Sequence, residues 1–295
     1  MSDSDEIPEL RLAPVETPED IARRVERENR RREDSREQEM AWSLKPFRVG
    51  SVPYLNSVPL TRGLENEVEF MPPAQLAVKL DADELDAALV SITEVLFHDR
   101  YDVLDGIAVA SLGEVYSVFL AHRIPLDEVT EIWCDPASLT SVNLLKVLLA
   151  ERGQKVSFQK LDDYANAGDK DAVLLIGNPA IDFRRSDPDH SIWDLGAAWH
   201  EMTNLPFVFA IWALRRGVEN EPLRARLREA RDFGMDTLDY IIDERTDYDR
   251  NFRKDYLGWH IHFHLGADEK RGIERFVELL KKHQDQEVFR PSYVL

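Results

Sequence analysis

The sequence is poor in several things, and each shortage closes off a class of function. Its one cysteine, Cys134, allows neither an intrachain disulfide nor a thiolate metal cage. Positive charge is scarce: 37 Lys and Arg stand against 56 Asp and Glu, a net charge of −19. A surface of that sign repels phosphate backbones and anionic lipid, which argues against nucleic-acid and membrane partners. Long apolar runs are missing too. The stretch from Pro206 to Leu214 falls well short of the roughly 20 residues a membrane-spanning helix needs. The acidic first residues contain no apolar stretch of the kind a secretory signal has. The expectation is a soluble, cytoplasmic protein. With 43% hydrophobic and 9% aromatic residues over 295 positions, the chain can bury a full core.

Cofactor and nucleophile motifs are also absent. There is no Gly-x-Gly-x-x-Gly, no Walker loop, no His-Glu-x-x-His and no Gly-x-Ser-x-Gly. Nicotinamide, nucleotide-phosphate, zinc-protease and α/β-hydrolase chemistry lose their usual support. His260, His262 and His264 are spaced two apart and would share one face of a strand. With no acidic or cysteine ligand at matching spacing, a polar edge facing water accounts for them, and no metal is expected. Cys134 ends an apolar strand and reads as a small buried hydrophobe.

What is present divides in two. Residues 1–45 form a charged extension. Thr17-Pro18-Glu19-Asp20 reads as a helix start, and the helix expected over about 19–40 is nearly all Arg and Glu. Lacking an apolar face, it buries little, and any partner of this arm is unspecified. From Phe47 onward, strands and helices alternate. Strands are expected near 47–52, 85–90, 116–121, 131–134, 156–159, 172–176 and 207–214, with helices over 72–80 and 141–151. The alternation predicts an α/β protein with a mainly parallel sheet. Ser91-Ile92-Thr93-Glu94 has capping-box spacing. The apolar strands 115–121 and 206–214 bracket a central segment with its own strands and helices. They suggest two lobes, the first from 46–115 plus 216–295 and the second from 116–215, with a ligand cleft between them.

Four neutral segments rich in hydroxyl or amide groups sit where strands end or helices begin: residues 51–60, Val90-Ser91, Val115-Tyr116-Ser117 and Ser138-Leu139-Thr140-Ser141. Ligands of open α/β sheets gather outside the carboxyl ends of the strands. A helix start ringed by Ser and Thr offers free N–H groups and a positive dipole end to a carboxylate or phosphate. Simple capping explains any one segment; all four together point to a cleft for a small anion.

These residues carry a resemblance. The run Arg48-Val49-Gly50-Ser51-Val52-Pro53-Tyr54-Leu55-Asn56-Ser57-Val58-Pro59-Leu60 resembles the opening of the chorismate dehydratase family of the futalosine route to menaquinone (MqnA). The likeness continues through 85–96, 115–117, 138–142 and 173–177. It ends in Asp194-Leu195-Gly196, in Leu205-Pro206-Phe207-Val208-Phe209-Ala210-Ile211-Trp212 and in a helical tail over 256–281. It spans nearly everything after residue 46. The resemblance implies the two-lobed fold of type II periplasmic solute-binding proteins. It also implies a cofactor-independent hydro-lyase that converts chorismate to 3-[(1-carboxyvinyl)oxy]benzoate and water. Asn56 and Ser117 match the family's functional positions, and Ser138, Thr140 and Ser141 match its anion-binding helix start. Ser51, Ser91, Leu139 and Asn178 complete the expected substrate-binding set. The chain departs from the family at Glu114 (often Pro), Asn178 (often Asp) and Asn204 (usually Gly). Glu114 is expected to face solvent, and Asn204 to take a left-handed conformation at a helix stop.

Chorismate brings two carboxylates, an enolpyruvyl ether and a ring hydroxyl beside the ether carbon, and loss of water makes its ring aromatic. The protein's task is then to hold a reactive conformer and stabilise charge spreading into the ring carboxylate. The substrate's own side-chain carboxylate and Glu94 are the two candidate bases, and Glu94's spacing favours a structural role. Two other functions compete. One is the sister 1,4-dihydroxy-6-naphthoate synthase, whose opening Ser-Pro-Cys-Pro-Asn-Asp-Thr differs from Tyr54-Leu55-Asn56-Ser57-Val58-Pro59-Leu60. The other is a non-catalytic small-anion-binding protein.

Overall fold

A computed structural model describes residues 23, 26, 43–134, 139–186 and 189–295. The chain divides into two units at Ser43–Leu44. In the first unit, Arg23 and Glu26 are helical and exposed, and most of the helix expected over 19–40 lies outside the described residues. The second unit, Leu44–Leu295, holds two sheets.

Strands β1 (Val49–Ser51), β2 (Val68–Phe70), β3 (Ala87–Ser91) and β4 (Tyr101–Ser111) open the first sheet. The chain then crosses to a second sheet made by β5 (Val118–His122), β6 (Glu131–Cys134), β7 (Ser157–Lys160), β8 (Ala172–Ile176) and β9 (Ser191–Asp194). It returns as β10 (Phe207–Arg215) and closes with β11 (Ser292–Val294). The orders are β11-β4-β10-β3-β1-β2 and β7-β6-β8-β5-β9.

Neither sheet is purely parallel: the first keeps the parallel majority expected of it, and the second is evenly divided between parallel and antiparallel pairs. The outgoing strand β4 and the returning strand β10 run side by side, so they pair antiparallel. β10 is likewise antiparallel to β3, and β5 to both β8 and β9. The expected bound of 116–215 for the second lobe would place β10 there. It instead pairs with β3 and β4 in the first sheet.

β4 went unforeseen because Asp105-Gly106 reads as a turn. Here Gly106 takes φ +85 and its N–H bonds Asp105 Oδ1 at 2.8 Å within the strand. Register is lost locally: Val103 faces Ala213 and Ala108 faces Ile211, so residues 104–107 lie opposite Trp212 alone.

Helices α1 (Pro73–Asp81), α2 (Ile92–Phe97), α3 (Leu139–Glu151), α4 (Gly177–Ser186) and α5 (Leu195–Thr203) connect these strands. The tail contributes α6 (Glu221–Asp236), α7 (Leu238–Glu244), α8 (Arg250–Asp255), a π-helical turn at Tyr256–His260, and α9 (Ala267–His283). One aromatic cluster ties the return crossing to this tail. Trp199 meets Phe207 at 5.2 Å and Phe276 at 5.9 Å, edge-on, and donates its indole N–H to Pro206 O at 3.1 Å. Asn204 stops α5 with φ 56 and ψ 28, the left-handed geometry expected of it. Among the described residues, no helix is long and apolar enough to cross a membrane.

The outgoing crossing is locked from within. Tyr116 has φ +68, and Ser117 N–H bonds back to Val115 O at 2.8 Å, a tight turn that a side chain rarely adopts. Asp194, at the end of β9, over-determines it. Its carboxylate accepts the N–H groups of Val115 (3.0 Å) and Tyr116 (2.8 Å) while capping α5 through Ala197 N–H (2.9 Å). Burial pushes the Asp194 carboxyl up, and the three backbone N–H groups oppose that rise. Gly196 follows because a Cβ there would lie 2.4 Å from Gly113 O. Thus Asp194-Leu195-Gly196 is explained by the crossing it holds.

Candidate functional site

A cleft of about 620 Å³, its open mouth included, runs between the two sheets. Strand periodicity explains its floor: Leu89 and Ser91, two apart on β3, face it together with Val109 of β4. On β10, Phe209 and Ala210 are consecutive yet both line it. The register with β4 skips Phe209, pairing Val208 with Ala110 and Ala210 with Val109, and this bulge turns the phenyl ring into the cleft. From the second sheet come Val118 and Ile176, direct partners across β5 and β8. The start of α3 (Leu139, Thr140, Ser141) closes one end, and Tyr54 and Asn56 project from the first motif. None of the described lining residues is an acid, a histidine, a cysteine or a lysine.

The expected substrate-binding residues divide by what their polar atoms do. Thr140 and Ser91 line the cleft but are hydrogen-bonded to each other. Thr140 N–H also donates to Ser91 Oγ at 3.1 Å, and Thr93 N–H to Thr140 Oγ1 at 3.2 Å. This hydroxyl cluster joins the end of β3 to the start of α3, across the two lobes. It also overturns the capping box. Ser91 precedes α2 without bonding its N–H groups, and Glu94 pairs with His98 Nδ1 at 3.0 Å instead. Burial pushes the Glu94 carboxyl up, with His98 opposing. Glu94 lies on a side recess that shares Pro73, Ser91 and Leu139 with the cleft.

Ser141 differs from its neighbours: it borders the cleft, and its hydroxyl makes no hydrogen bond among the described residues. Ser138 lies outside the described residues. Leu139 is an apolar lip, 41% exposed. Ser51 does not line the cleft; it is fully buried at the end of β1 and its hydroxyl has no partner among the described residues. Asn178 sits beside the lining residue Gly177, but its Oδ1 faces Leu55 N–H at 3.5 Å, tying the first motif to α4. Gly177 is required there. Its φ is +61, and a Cβ would stand 3.2 Å from the Tyr54 ring. Glu114 faces outward as expected, 2.8 Å from Arg184, whose guanidinium covers the Tyr116 ring at 3.9 Å.

Asn56 and Ser117, expected to be catalytic, meet through a residue that the sequence did not single out. Tyr256 donates its phenol proton to Ser117 Oγ at 2.7 Å, and the Asn56 carboxamide approaches the same phenol, near enough to favour its ionised form. Asn56 lines the cleft, whereas Ser117, the other residue matched to a functional position, is wholly buried and does not line it. Burial pushes the Tyr256 phenol far up, with Ser117 and Asn56 opposing, so it remains a neutral donor. Its ring stacks on Phe252 at 5.6 Å and 10°. The π-helical turn that presents Tyr256 leaves no mark on hydrophobic periodicity, so the residue reads as plain core.

With that geometry in hand, known proteins give it a context. A chorismate dehydratase of Thermus thermophilus is 33% identical over 263 residues, covering 80% of this chain and 96% of that protein. One of Campylobacter jejuni is 28% identical over 234 residues, covering 77% and 91%. Among solved structures, protein AF1704 of Archaeoglobus fulgidus superposes with a TM-score of 0.66 at 17% identity, covering 80% of this chain and 97% of that one. The alkanesulfonate-binding protein SsuA of Xanthomonas axonopodis does so at 0.57 and 15%, covering 84% and 97%. These two structures establish the two-lobed binding-protein fold. Residues 47–282 match the family described as menaquinone biosynthesis, and with the cleft, the paired sheets and the dehydratase relatives in agreement, the chain belongs to that family.

Proposed function

We propose that this chain is a chorismate dehydratase, a hydro-lyase that releases water from chorismate to give 3-[(1-carboxyvinyl)oxy]benzoate without a cofactor. The observation that carries this reading is the character of the cleft. It is an interlobe pocket whose polar groups are a carboxamide, hydroxyls and a helix start, set against apolar walls. Such a pocket suits a ring bearing two carboxylates better than it suits a cation. A cytoplasmic setting belongs to the same proposal and rests on the family alone.

The α3 start receives one carboxylate. Its first N–H groups have no intrahelical acceptor, its dipole favours an anion, and the free Ser141 hydroxyl adds a donor. Leu89, Val109 and Phe209 flank the ring. Asn56 contacts the departing hydroxyl, and Tyr256 and Ser117 hold the carboxamide in register and extend a path for the proton. The ring carbon bearing the ether loses its proton, the neighbouring hydroxyl leaves as water, and the ring becomes aromatic. The substrate's own side-chain carboxylate is the base, because no described lining residue can serve and Glu94 is engaged by His98.

Incubating the purified protein with chorismate and following the product by chromatography tests this reading. Product is expected from the native chain and far less from Asn56→Ala and Ser117→Ala. Binding without turnover would make it an anion-binding protein. Full rates in both variants would move the site elsewhere.

A further inference from the structure

The histidine spacing noted in the sequence finds its missing partner in the fold. His260 is drawn away: it ends the π-helical turn, and its Nδ1 bonds Glu114 O at 3.1 Å. His262 and His264 lie on the extended segment that follows. His262 is fixed by a two-way backbone bridge to Ala110, with N–O distances of 2.9 and 3.0 Å, and residues two apart then share a face. The rings stack at 4.5 Å and 26°. Opposite them, α9 begins at Ala267 and places Glu269 in its first turn. Glu269 Oε2 accepts the Gly266 N–H at 2.8 Å, which fixes the carboxylate and leaves Oε1 to the histidines.

Both imidazoles address that one oxygen: His262 Nε2 lies 3.1 Å and His264 Nε2 3.3 Å from Glu269 Oε1, and all three atoms fall within 4.8 Å of one another. For a tetrahedral ion with metal–ligand bonds of about 2.0–2.1 Å, ligand atoms stand roughly 3.3 Å apart. Two edges already match. The third closes by a turn of the His264 ring, which is 61% exposed. We propose that His262, His264 and Glu269 form a binding site for a divalent transition-metal ion of the zinc class, with water completing its coordination. Two imidazoles and one carboxylate favour such an ion over magnesium or calcium, which prefer all-oxygen sites. The Gly266 N–H supplies the outer hydrogen bond that orients the carboxylate ligand. None of the three residues lines the cleft. The ion clips the start of α9 to the segment bridged to β4, a structural role separate from turnover.

The test uses full-length protein stripped with chelator. Zinc ion is expected to bind at one equivalent and to raise the melting temperature by about 5–10 °C at a hundredfold excess over its dissociation constant. Magnesium should leave the melting temperature unchanged, and cobalt should give the visible spectrum of a low-coordinate site. His264→Gln, at an exposed position, should abolish binding and the shift while leaving the metal-free melting temperature as it was. His283→Ala, which removes the unrelated pair with Glu151, should retain both. Absence of stoichiometric zinc binding, or binding that survives His264→Gln, would overturn the proposal; so would binding lost in His283→Ala.

Discussion

Tyr256 and Ser117 are 139 positions apart, yet the phenol of one donates to the hydroxyl of the other at 2.7 Å in a site closed to solvent. The contact joins the C-terminal tail to the strained crossing between sheets, and Asn56 approaches the same phenol from the first motif. A ligand pressing on Asn56 therefore works against groups that are already fixed.

Tyr256→Phe tests this chain of three. The ring keeps its stack on Phe252, so the fold persists, but the Ser117 hydroxyl loses its donor and Asn56 a polar neighbour. Leaving a buried polar group unpaired costs about 1–3 kcal/mol. Steady-state kinetics with chorismate should show kcat falling about tenfold to a hundredfold, with KM changed little. Some loss of melting temperature is expected on either account, but a merely structural tyrosine would leave kcat intact.

Ser141 and Thr140 are adjacent, and opposite outcomes are expected of them. Ser141→Ala removes a hydroxyl with no partner among the described residues, so stability should hold while KM rises about tenfold, the worth of one hydrogen bond to a charged group. Thr140→Val keeps the shape but breaks the cluster with Ser91 and Thr93, and should cost roughly 1–2 kcal/mol in denaturant unfolding. Equal behaviour of the two variants in both measurements would contradict this division.

Gly177→Ala probes the close approach of α4 to the first motif. A left-handed backbone disfavours a side chain by about 1–2 kcal/mol, and the added methyl would press on Tyr54 at 3.2 Å. Both a lower melting temperature and a raised KM are expected, because Tyr54 lines the cleft. Circular-dichroism melting and the chorismate assay check the two effects on one preparation.

Much of this architecture was legible where local pattern and tertiary role coincide. β8 is a buried apolar run and β6 alternates exposed with buried positions, and their expected limits agree with the observed ones. Asn204 announced its left-handed stop by standing where the resembling family usually has Gly, as a residue type that tolerates that conformation. Asn56 could be chosen because the first motif is specific. Legibility failed where tertiary context overrides local preference. Asp105-Gly106 stays within a strand as an irregularity, because the residues on either side of it, 101–103 and 108–111, are paired to β10. Ser91 passes over its own helix for a hydroxyl 49 positions away, so no capping rule could find its true partner. Phe209 reaches the cleft through a bulge, and Tyr256 through a π-helical turn; both break the period on which a sequence reading depends. Glu269 is the converse case, an acid five residues beyond His264 that only the turn into α9 brings back to it.

Asp86 should set the acid limit of the fold. It begins the segment leading into β3, away from the cleft. Its carboxylate takes the Arg48 N–H at 3.0 Å, the Arg48 guanidinium at 2.9 and 3.2 Å, and Arg215 at 2.7 Å, tying the starts of β1 and β3 to the end of β10. Burial alone would raise its carboxyl, but the Arg48 hydrogen bonds and then Arg215 outweigh it and hold the group at about 2, against 3.8 in a free side chain. A carboxyl depressed on folding contributes stability that is in place above its unfolded value and is lost as pH falls through the folded one. The contribution, about 2 kcal/mol at neutral pH, should therefore decline between about pH 4 and pH 2. Asp86→Asn removes the charge at every pH. Urea unfolding should find the variant less stable than the native chain at pH 7 and the gap narrowing across that acid window; a gap that stays constant with pH would show that the arginines stabilise Asp86 no more when folded than when unfolded.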